Sequence, residues 1–248
     1  MREMKKRRID CRLKSTVTDV IQQDNAVAAT IAPVGGGRTE AIAADKVLVC
    51  TGRRPNSDQL GLETVGVQTD ARGWVKVDGA LHTTAKGVLA IGDLLGPAHF
   101  MLAHVASAEA AVAADNAMGA DRPMDYRAVP GAVFSMPEVA HAGLSQAEAS
   151  EAGLSVETAT VLFRTLGKAH VIGEIAGQAK IVYEKPGGRV LGVQLIGPRA
   201  TELIAEGTLA VRQGITVAEL AATIHAHPTL AEIMGETALV AAGAPLHG

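Results

Sequence analysis

The fold of the second half of this chain is decided by the stretch Gln178-Ala-Lys-Ile-Val-Tyr-Glu-Lys-Pro-Gly-Gly-Arg-Val-Leu-Gly-Val-Gln-Leu-Ile196. Its two ends, residues 178–183 and 190–196, are rich in the β-branched and apolar residues that favour strands. The segment Lys185-Pro186-Gly187-Gly188 between them holds residues that favour tight turns. The stretch therefore predicts two paired strands joined by a turn.

The segments on either side of this pair predict the rest of the second half. A strand is expected at 132–134, and a helix at 145–151, where Ser145 and Glu148 have the spacing of a capping box. Two further helices are expected at 200–213 and 228–240. The order of strand, helix, paired strands, helix and helix indicates an α+β layer rather than a parallel sheet.

The first fifty or so residues predict a β-meander that follows what resembles the tail of a helix. Gly35-Gly36-Gly37 lies between strand-like stretches with no helix behind it, so we interpret it as a hairpin turn rather than a phosphate-binding loop. The expected strands are residues 15–21, 26–31 and 46–50.

The middle of the chain predicts short strands and one long helix. Strands are expected around Val75 and at 88–91, and a helix at 101–118, which is rich in Ala and has no internal Gly or Pro. The sequence Asp121-Arg122-Pro123 interrupts this helix, and we place a domain boundary near Tyr126. The expected fold class is therefore α/β and α+β.

Composition and charge restrict the classes of function. The 248 residues are 48% hydrophobic, which is enough for a substantial core and for one or two domains. A formal net charge of −3 gives no field that attracts a polyanion, so we expect no nucleic-acid partner. The basic cluster at 5–8 lies between acidic residues and fits a solvated helix face better than a binding arm.

The sequence also predicts the compartment. No early apolar run has the length and flanks of a signal peptide, and the Ala-rich stretch 101–118 contains charged residues, so no membrane segment is expected. Cys11 and Cys50 are far apart in the chain and are expected to be reduced, structural thiols rather than a disulfide. These features favour a cytoplasmic protein.

Two features of the middle segment together favour a cofactor. Asp93 follows the apolar run 88–91, and ligands of α/β sheets bind at the carboxyl edge of the strands, where a carboxylate can accept hydrogen bonds from sugar or ribityl hydroxyls. By itself, Asp93 is explained equally well as a loop residue that caps a helix. The next helix begins with residues whose exposed amides favour an electron-rich group, namely Met101, Leu102, Ala103 and His104.

The sharpest motif is Ile224-His-Ala-His-Pro-Thr-Leu-Ala-Glu232. Pro228 is favoured at the first position of a helix, which would leave His227 outside the regular turns and free to project. Glu232 is too far along a regular helix to face His227, so the two can meet only through an irregular start. A carboxylate against one imidazole nitrogen raises the basicity of the other, as a general base acting on a thiol requires.

Other interpretations of this motif stay open. A histidine before a proline is often a capping or packing residue, and we assign His225 to packing. His225 and His227 also lack a cysteine or acidic cluster at ligand spacing, so no metal site is expected.

In order and spacing, these motifs resemble those of the pyridine nucleotide-disulfide oxidoreductases. The segments that carry the resemblance are Thr-Gly-Arg-Arg-Pro-Asn (51–56), Ala-Ile-Gly-Asp (90–93), Met-Leu-Ala-His (101–104), Val-Pro (129–130), Met-Pro-Glu-Val-Ala (136–140) and His-Ala-His-Pro-Thr (225–229). They cover nearly the whole chain, and the histidine segment is the most specific. Within the family, the chain is most similar to the dihydrolipoamide dehydrogenases.

The resemblance implies the remnant of a flavoprotein with two dinucleotide-binding domains, followed by an α+β dimerisation domain. Residues 1–50 are then the end of the NAD-binding domain, 51–126 the returning C-terminal part of the FAD-binding domain, and 127–248 the interface domain of a homodimer. FAD and NAD are the implied cofactors. The lipoyl domain of a 2-oxo acid dehydrogenase complex is the implied partner.

The resemblance also implies roles for single residues. Gly52 would lie at the NAD site, Asp93 would bind the ribityl chain of FAD, and residues 101–104 would flank the isoalloxazine. His227, oriented by Glu232, would be the base that deprotonates dihydrolipoamide, and it would reach across the dimer to the partner subunit's disulfide.

The sequence departs from the family in what it lacks. The family's redox cysteine pair and both Gly-x-Gly-x-x-Gly loops are missing, and the spacing of Cys11 and Cys50 does not allow them to replace the pair. We therefore expect the chain alone to be inactive, as the C-terminal part of an enzyme whose remaining sequence lies upstream of Met1. NAD and NADP are not distinguished, because the residues that read the ribose would lie there too.

Two alternatives remain. One is a related disulfide reductase of the glutathione or mercuric reductase type. The tail 241–248 lacks the cysteine pair of mercuric reductases, and Glu232-Ile233 stands where glutathione reductases typically have two acids. The other alternative is a stand-alone dimerisation module without redox chemistry.

Overall fold

The computed structural model describes residues 1–247, and its first 44 residues are built around a small antiparallel sheet. The elements are helix α1 (Arg2–Lys6) and strands β1 (Ser15–Gln23), β2 (Ala26–Pro33) and β3 (Glu40–Ala44). β2 lies between β1 and β3 and pairs with both. The first two strands of the predicted meander are confirmed, and the basic cluster at 5–8 is exposed at the end of a helix, as expected.

The strand expected at 46–50 is not formed. The ladder between β3 and β2 ends at Ala44. Among the described residues, no strand pairs with the apolar run that follows, and Leu48 and Val49 are 86% and 77% exposed. An apolar run predicts burial, but a strand also needs a neighbour that pairs with its N–H and C=O groups.

The middle of the chain folds as turns around its own apolar cluster. The bridges Thr69 with Val75 and His82 with Leu89 are isolated, so the strands expected around Val75 and at 88–91 are wrong. Side-chain acceptors replace the missing ladders, since one carboxylate oxygen of Asp78 accepts from the backbone N–H groups of both Ala80 and His82. Two short 3-10 turns, Leu62–Val65 and Gly92–Leu95, lie in this region.

Helix α2 (Ala103–Ala117) confirms the helix predicted at 101–118. It buries Val105 and Val112, of which Val112 belongs to the apolar cluster of the middle segment. Near its end, Asn116 donates to the carbonyl oxygens of Ala80 at 2.8 Å and Arg122 at 2.9 Å. These bonds fix the helix to the turns before and after it.

The second half of the chain forms a five-stranded antiparallel sheet in the order β4-β5-β8-β7-β6. Its strands are β4 (Gly131–Val133), β5 (Glu138–Gly143), β6 (Val156–Leu162), β7 (Gln178–Glu184) and β8 (Val190–Gly197). The helices are α3 (Gln146–Glu151), α4 (Gly167–Val171), α5 (Ala200–Gln213), α6 (Val217–Ala222) and α7 (Glu232–Ala241). Helices α5 and α7 cover one face of the sheet and bury the main core there, including Phe163, Ile181, Leu195 and Met234.

The predicted pair at 178–196 is confirmed as β7 and β8, and the α+β arrangement follows from it. α5 has the predicted bounds, and Ser145 and Glu148 form the expected capping box at α3. The chain also contains helices and strands that were not predicted, namely β3, β5, β6, α4 and α6. The helix expected at 228–240 begins later than predicted, at Glu232.

Candidate active site

His227 lies in the loop between α6 and α7, and its position is fixed by Glu232, the first residue of α7. Nδ1 of His227 is 2.8 Å from Oε1 of Glu232, and Oε2 of the same carboxylate accepts from the backbone N–H of Thr229 at 2.8 Å. The Thr229 hydroxyl in turn donates to the carbonyl of Ala226 at 2.7 Å. The structure therefore brings His227 and Glu232 together through an irregular turn.

The turn differs from the expected one in one respect. Pro228 does not open the helix, since α7 starts only at Glu232. The segment between Ala226 and Glu232 is instead held by two hydrogen bonds of Thr229, one to each of these residues.

The two members of this pair differ in exposure. The side chain of His227 is 70% exposed, whereas that of Glu232 is 14% exposed. Because an ionised carboxylate only accepts hydrogen bonds, Nδ1 of His227 carries the proton, and Nε2 is an exposed acceptor when the ring is neutral. Burial acts to raise the pKa of Glu232, but the hydrogen bonds from Thr229 and His227 outweigh it, and the pKa lies below its usual value.

His225, two residues earlier, is packed as expected. Its side chain is 11% exposed, its Nε2 is 2.7 Å from Oε1 of Glu206 on α5, and its Nδ1 is 3.0 Å from the carbonyl of Thr223. The ring lies against the backbone of Gly235, where a Cβ would be 2.6 Å from Nδ1. His225 thus joins α5, α7 and the loop that carries His227.

A third histidine was not predicted as part of this region. The Nδ1 of His247 is 2.9 Å from Oε1 of Glu236, a residue of α7 that is only 5% exposed, and the backbone N–H of His247 donates to the other oxygen at 3.0 Å. The electrostatic effect of His247 also reaches Glu232. Glu236 lies in α7 and His247 in the segment that follows this helix, so no local sequence pattern predicts their contact.

Asp93 lies in a second region, on the 3-10 turn Gly92–Leu95. The expectation that it ends a strand is wrong. Its carboxylate is 53% exposed and forms an ion pair with Arg53, and it makes no capping hydrogen bond. The alternative interpretation of Asp93 as a helix cap therefore has no support in the structure.

Arg53 brings Asp93 close to other residues that the sequence singled out. Gly52 and Met101 line one cavity of about 410 Å³ together with Arg53 and Trp74. Gly52 has a φ of 80°, in the left-handed region that glycine adopts without strain. This group does not include His227, so the predicted site residues form two clusters.

The beginning of α2 borders this second cluster. Leu102 is the N-cap residue, and among the described residues no side chain caps the helix, so the N–H groups of its first two residues have neither an intrahelical nor a capping partner there. Ala103 and His104 are exposed. The His104 ring is not free, since its Nε2 is 2.9 Å from the carbonyl oxygen of Pro130 at the start of the second half.

Other site types are not indicated by the part of the chain that the structure describes. Residues 1–247 hold no group of three or more histidine, cysteine or acidic side chains that could bind a metal ion. In the same residues, no helix combines the length and the apolar character needed to cross a bilayer. Cys11 and Cys50 are both free thiols, but Cys50 is exposed, so the expectation that it is a structural thiol is wrong.

Two family models match the chain. Residues 1–110 match the pyridine nucleotide-disulphide oxidoreductase model, and residues 129–238 match the dimerisation domain of the same proteins. The chain belongs to this family. The predicted family and fold class are thereby confirmed.

Several curated relatives of this chain are dihydrolipoyl dehydrogenases. The one from Geobacillus stearothermophilus is 40% identical over 219 residues, which are 88% of this chain and 46% of the relative. The one from Bacillus subtilis is 40% identical over 244 residues, or 98% of this chain and 51% of the relative. The chain thus spans about half the length of the curated relatives it matches.

Solved structures of similar fold also extend beyond this chain. LpdA from Mycobacterium tuberculosis superposes with a TM-score of 0.86 at 29% identity, covering 97% of this chain and 51% of the other. The flavoprotein disulfide reductase RclA from Escherichia coli gives a TM-score of 0.84 at 25% identity, over 96% of this chain and 53% of its own. Proteins of this family are oxidoreductases that use FAD and NAD(P), which confirms the predicted class of cofactors.

The residues of the second cluster fit one side of a flavin. A half-exposed carboxylate at Asp93 can accept hydrogen bonds from hydroxyls, and the uncapped start of α2 offers N–H groups to an electron-rich ring edge. The cavity lined by Gly52, Arg53 and Met101 leaves space beside the ion-pair partner of Asp93 and beside the residue that precedes the N-cap of α2.

Proposed function

We propose that this chain is the C-terminal part of a dihydrolipoamide dehydrogenase, in which His227 accepts a proton from the dithiol. The observation that carries the proposal is the contact of 2.8 Å between Nδ1 of His227 and Oε1 of Glu232, with the imidazole 70% exposed. In this arrangement Nε2 faces solvent, and the Glu232 carboxylate at Nδ1 raises the basicity of Nε2 on the other side of the ring. A general base for a thiol needs both properties.

The proton transfer makes the substrate reactive. Nε2 of His227 takes the proton of one dihydrolipoamide thiol, and the resulting thiolate is the species that attacks a disulfide. Glu232 holds the ring and balances the charge of the imidazolium, since its own pKa is held low by the hydrogen bonds from Thr229 and His227.

In the complete reaction, dihydrolipoamide is oxidised to the cyclic disulfide, and NAD⁺ is reduced to NADH with release of one proton. FAD, when bound, would carry the electron pair between the enzyme's redox disulfide and NAD. The two cysteines of the 248 residues, Cys11 and Cys50, cannot form this redox disulfide, so turnover requires a disulfide supplied by sequence outside them.

The domain assignment forms part of the proposal. Residues 1–50 are assigned to the end of the NAD-binding domain, 51–126 to the FAD-binding domain, and 127–248 to the dimerisation domain. Within them, Gly52 is assigned to the NAD site, Asp93 to the ribityl chain and 101–104 to the isoalloxazine. The shared cavity of Gly52 and Met101 and the uncapped start of α2 support this assignment.

A homodimer and a lipoyl domain are the proposed partners. The match of residues 129–238 to a dimerisation domain supports the homodimer. Exposed apolar side chains support it too, since Ile224 beside the His227 loop is 96% exposed and Leu209 on α5 is 55% exposed. The free thiols Cys11 and Cys50 are consistent with a cytoplasmic, reducing location.

A fusion experiment tests the proposal. The N-terminal half of the Geobacillus relative is joined to this chain in the register of their sequence match, and the product is compared with the 248-residue chain alone. We expect the fusion to be yellow and to form NADH from dihydrolipoamide, and the chain alone to be colourless and inactive. A flavin-loaded fusion that reduces glutathione disulfide or Hg²⁺ but ignores lipoamide would overturn the assignment in favour of a related disulfide reductase. A folded dimeric fusion without flavin would favour a dimerisation module.

A further inference from the structure

Helix α2 contains a carboxylate that the proposed mechanism does not use. Glu109 is fully buried, with no accessible surface. A buried carboxylate is costly unless both of its oxygens are hydrogen-bonded, and such groups are retained where they hold something in place. The partners of Glu109 therefore indicate what it holds.

The first partner is the backbone of the flavin-side turn. Oε2 of Glu109 accepts from the N–H of Gly92 at 2.6 Å, which is short for a backbone donor and typical of a charge-assisted bond. Gly92 is the first residue of the 3-10 turn that carries Asp93, and its φ of 74° lies in the left-handed region. A Cβ at this position would also lie 3.3 Å from Cβ of Ala106 on α2. The peptide between Ile91 and Gly92, one residue before Asp93, is thus fixed against α2 by a side-chain bond and by close packing.

The second partner lies at the border between the two halves of the chain. The hydroxyl of Tyr126 donates to Oε1 of Glu109 at 2.6 Å. Nδ1 of His99 is 3.2 Å from the same hydroxyl, and the Tyr126 ring also contacts Phe100, with ring centroids 5.8 Å apart. Burial and the Glu109 carboxylate both raise the pKa of Tyr126, which keeps its hydroxyl a donor at neutral pH. Both oxygens of Glu109 are therefore occupied.

We propose that Glu109 is a positioning residue for the flavin, which fixes the Gly92 peptide and thereby the direction in which Asp93 presents its carboxylate. This inference rests on the proposed function, because it assumes that Asp93 faces the ribityl chain. Tyr126 serves the same purpose indirectly, since it holds Glu109 through the second oxygen. Without the carboxylate, the turn loses the only side-chain acceptor of the Gly92 N–H in the described part of the chain.

The first test uses the 248-residue chain with ¹⁵N-labelled glycine. The short bond to a carboxylate is expected to place the Gly92 amide proton far downfield, and Glu109→Gln should move it upfield while Gly207 and Gly235 keep their shifts. An unchanged Gly92 resonance would overturn the inference irrespective of any flavin.

The second test measures FAD affinity in the fusion described above, after removal and re-addition of the flavin. We expect Glu109→Ala to weaken FAD binding about tenfold to a hundredfold, which is the range for loss of a hydrogen bond to a charged group. Glu109→Gln, which keeps one acceptor oxygen, and Tyr126→Phe, which removes one hydroxyl, should have smaller effects in the same direction. If Glu109→Ala does not fold, the FAD affinities of Glu109→Gln and Tyr126→Phe test the inference.

A matched control separates positioning from general stability. Asn116 is also a buried polar residue of α2, but its bonds go to Ala80 and Arg122 rather than to the turn at Asp93. Asn116→Ala should lower the melting temperature and leave the FAD dissociation constant unchanged. If the wild-type fusion binds FAD and all Glu109 and Tyr126 variants bind it equally well, this inference fails and the proposed function stands. If the wild-type fusion is folded but binds no FAD, the proposed function fails first and the role of Glu109 falls with it.

Discussion

The imidazole of His225 occupies the space that a side chain at Gly235 would need, since a Cβ there would be 2.6 Å from Nδ1. Gly235 lies inside α7, where alanine normally stabilises a helix by about 1 kcal/mol. Here the ring would have to move, and its bonds to Glu206 and Thr223 would break.

We therefore predict that Gly235→Ala lowers the free energy of unfolding by about 1–3 kcal/mol, the usual cost of overpacking, as measured by urea denaturation. Gly167→Ala is the matched control, because Gly167 begins α4 in open space and does not need a positive φ. It should be neutral or slightly stabilising. Equal unfolding free energies of the two variants would contradict the prediction, because the His225 ring would then move aside without loss of stability.

Loss of the proposed base should affect turnover rather than flavin binding. In the flavin-loaded fusion, we expect His227→Gln to reduce kcat for dihydrolipoamide by about 10²- to 10⁴-fold, the usual contribution of a general base. The flavin absorbance should be unchanged, because His227 does not belong to the cluster around Asp93. His82→Gln, on the turns of the middle segment, serves as the control and should retain full turnover. Loss of flavin from the His227 variant would show that the residue is structural.

The pH dependence of stability should report on Glu232. Its pKa is lower in the folded chain than the ordinary value of 4.5, so its ionised form stabilises the fold above that value, and the contribution is lost as pH falls through the lowered pKa. We predict that wild type is more stable than Glu232→Gln at pH 7 and that the two unfolding free energies converge as the pH falls below about 4.5. Glu151→Gln controls for the loss of a charge on the surface. A difference that stays constant from pH 7 to pH 3 would contradict the prediction.

Thr216 is expected to stabilise the loop that carries His227. Its side chain and that of Glu219 form a capping box at the start of α6, which leads directly into this loop. Thr216→Ala should cost about 1 kcal/mol and should speed hydrogen exchange at the Thr229 amide. Ser145→Ala removes the equivalent cap from α3 and should cost a similar amount without changing exchange at Thr229. Identical exchange in both variants would mean that α6 does not stabilise the loop.

Local sequence patterns predicted those elements whose signals are local. The bounds of α5 agree with the predicted 200–213, and β7 and β8 followed from apolar runs on both sides of a turn. The capping box of α3 is likewise contained within a few residues. By contrast, β6 was not predicted, although it is rich in the β-branched residues that favour strands, and in the structure it pairs with β7.

The errors arose where a partner distant in sequence decides the outcome. The run at 46–50 has strand-forming residues and no strand beside it in the described residues, and residues 88–91 are held by isolated bridges. The pairing of His227 with Glu232 was predictable because both lie in one short motif, in which Pro228 indicates the irregular helix start that lets them meet. The contacts of Glu109 with Tyr126 and of Glu236 with His247 were not, because they depend on how helices and loops meet in three dimensions.

The bond from His104 to the carbonyl of Pro130 has a thermodynamic consequence. One side chain connects the helix that borders the cofactor cluster to the residue before β4, the edge strand of the dimerisation sheet. Any ligand that orders the start of α2 then also orders that edge. For the proposed homodimer, we expect by reciprocity of linked equilibria that association of the two subunits tightens ligand binding by the same factor by which the ligand tightens association.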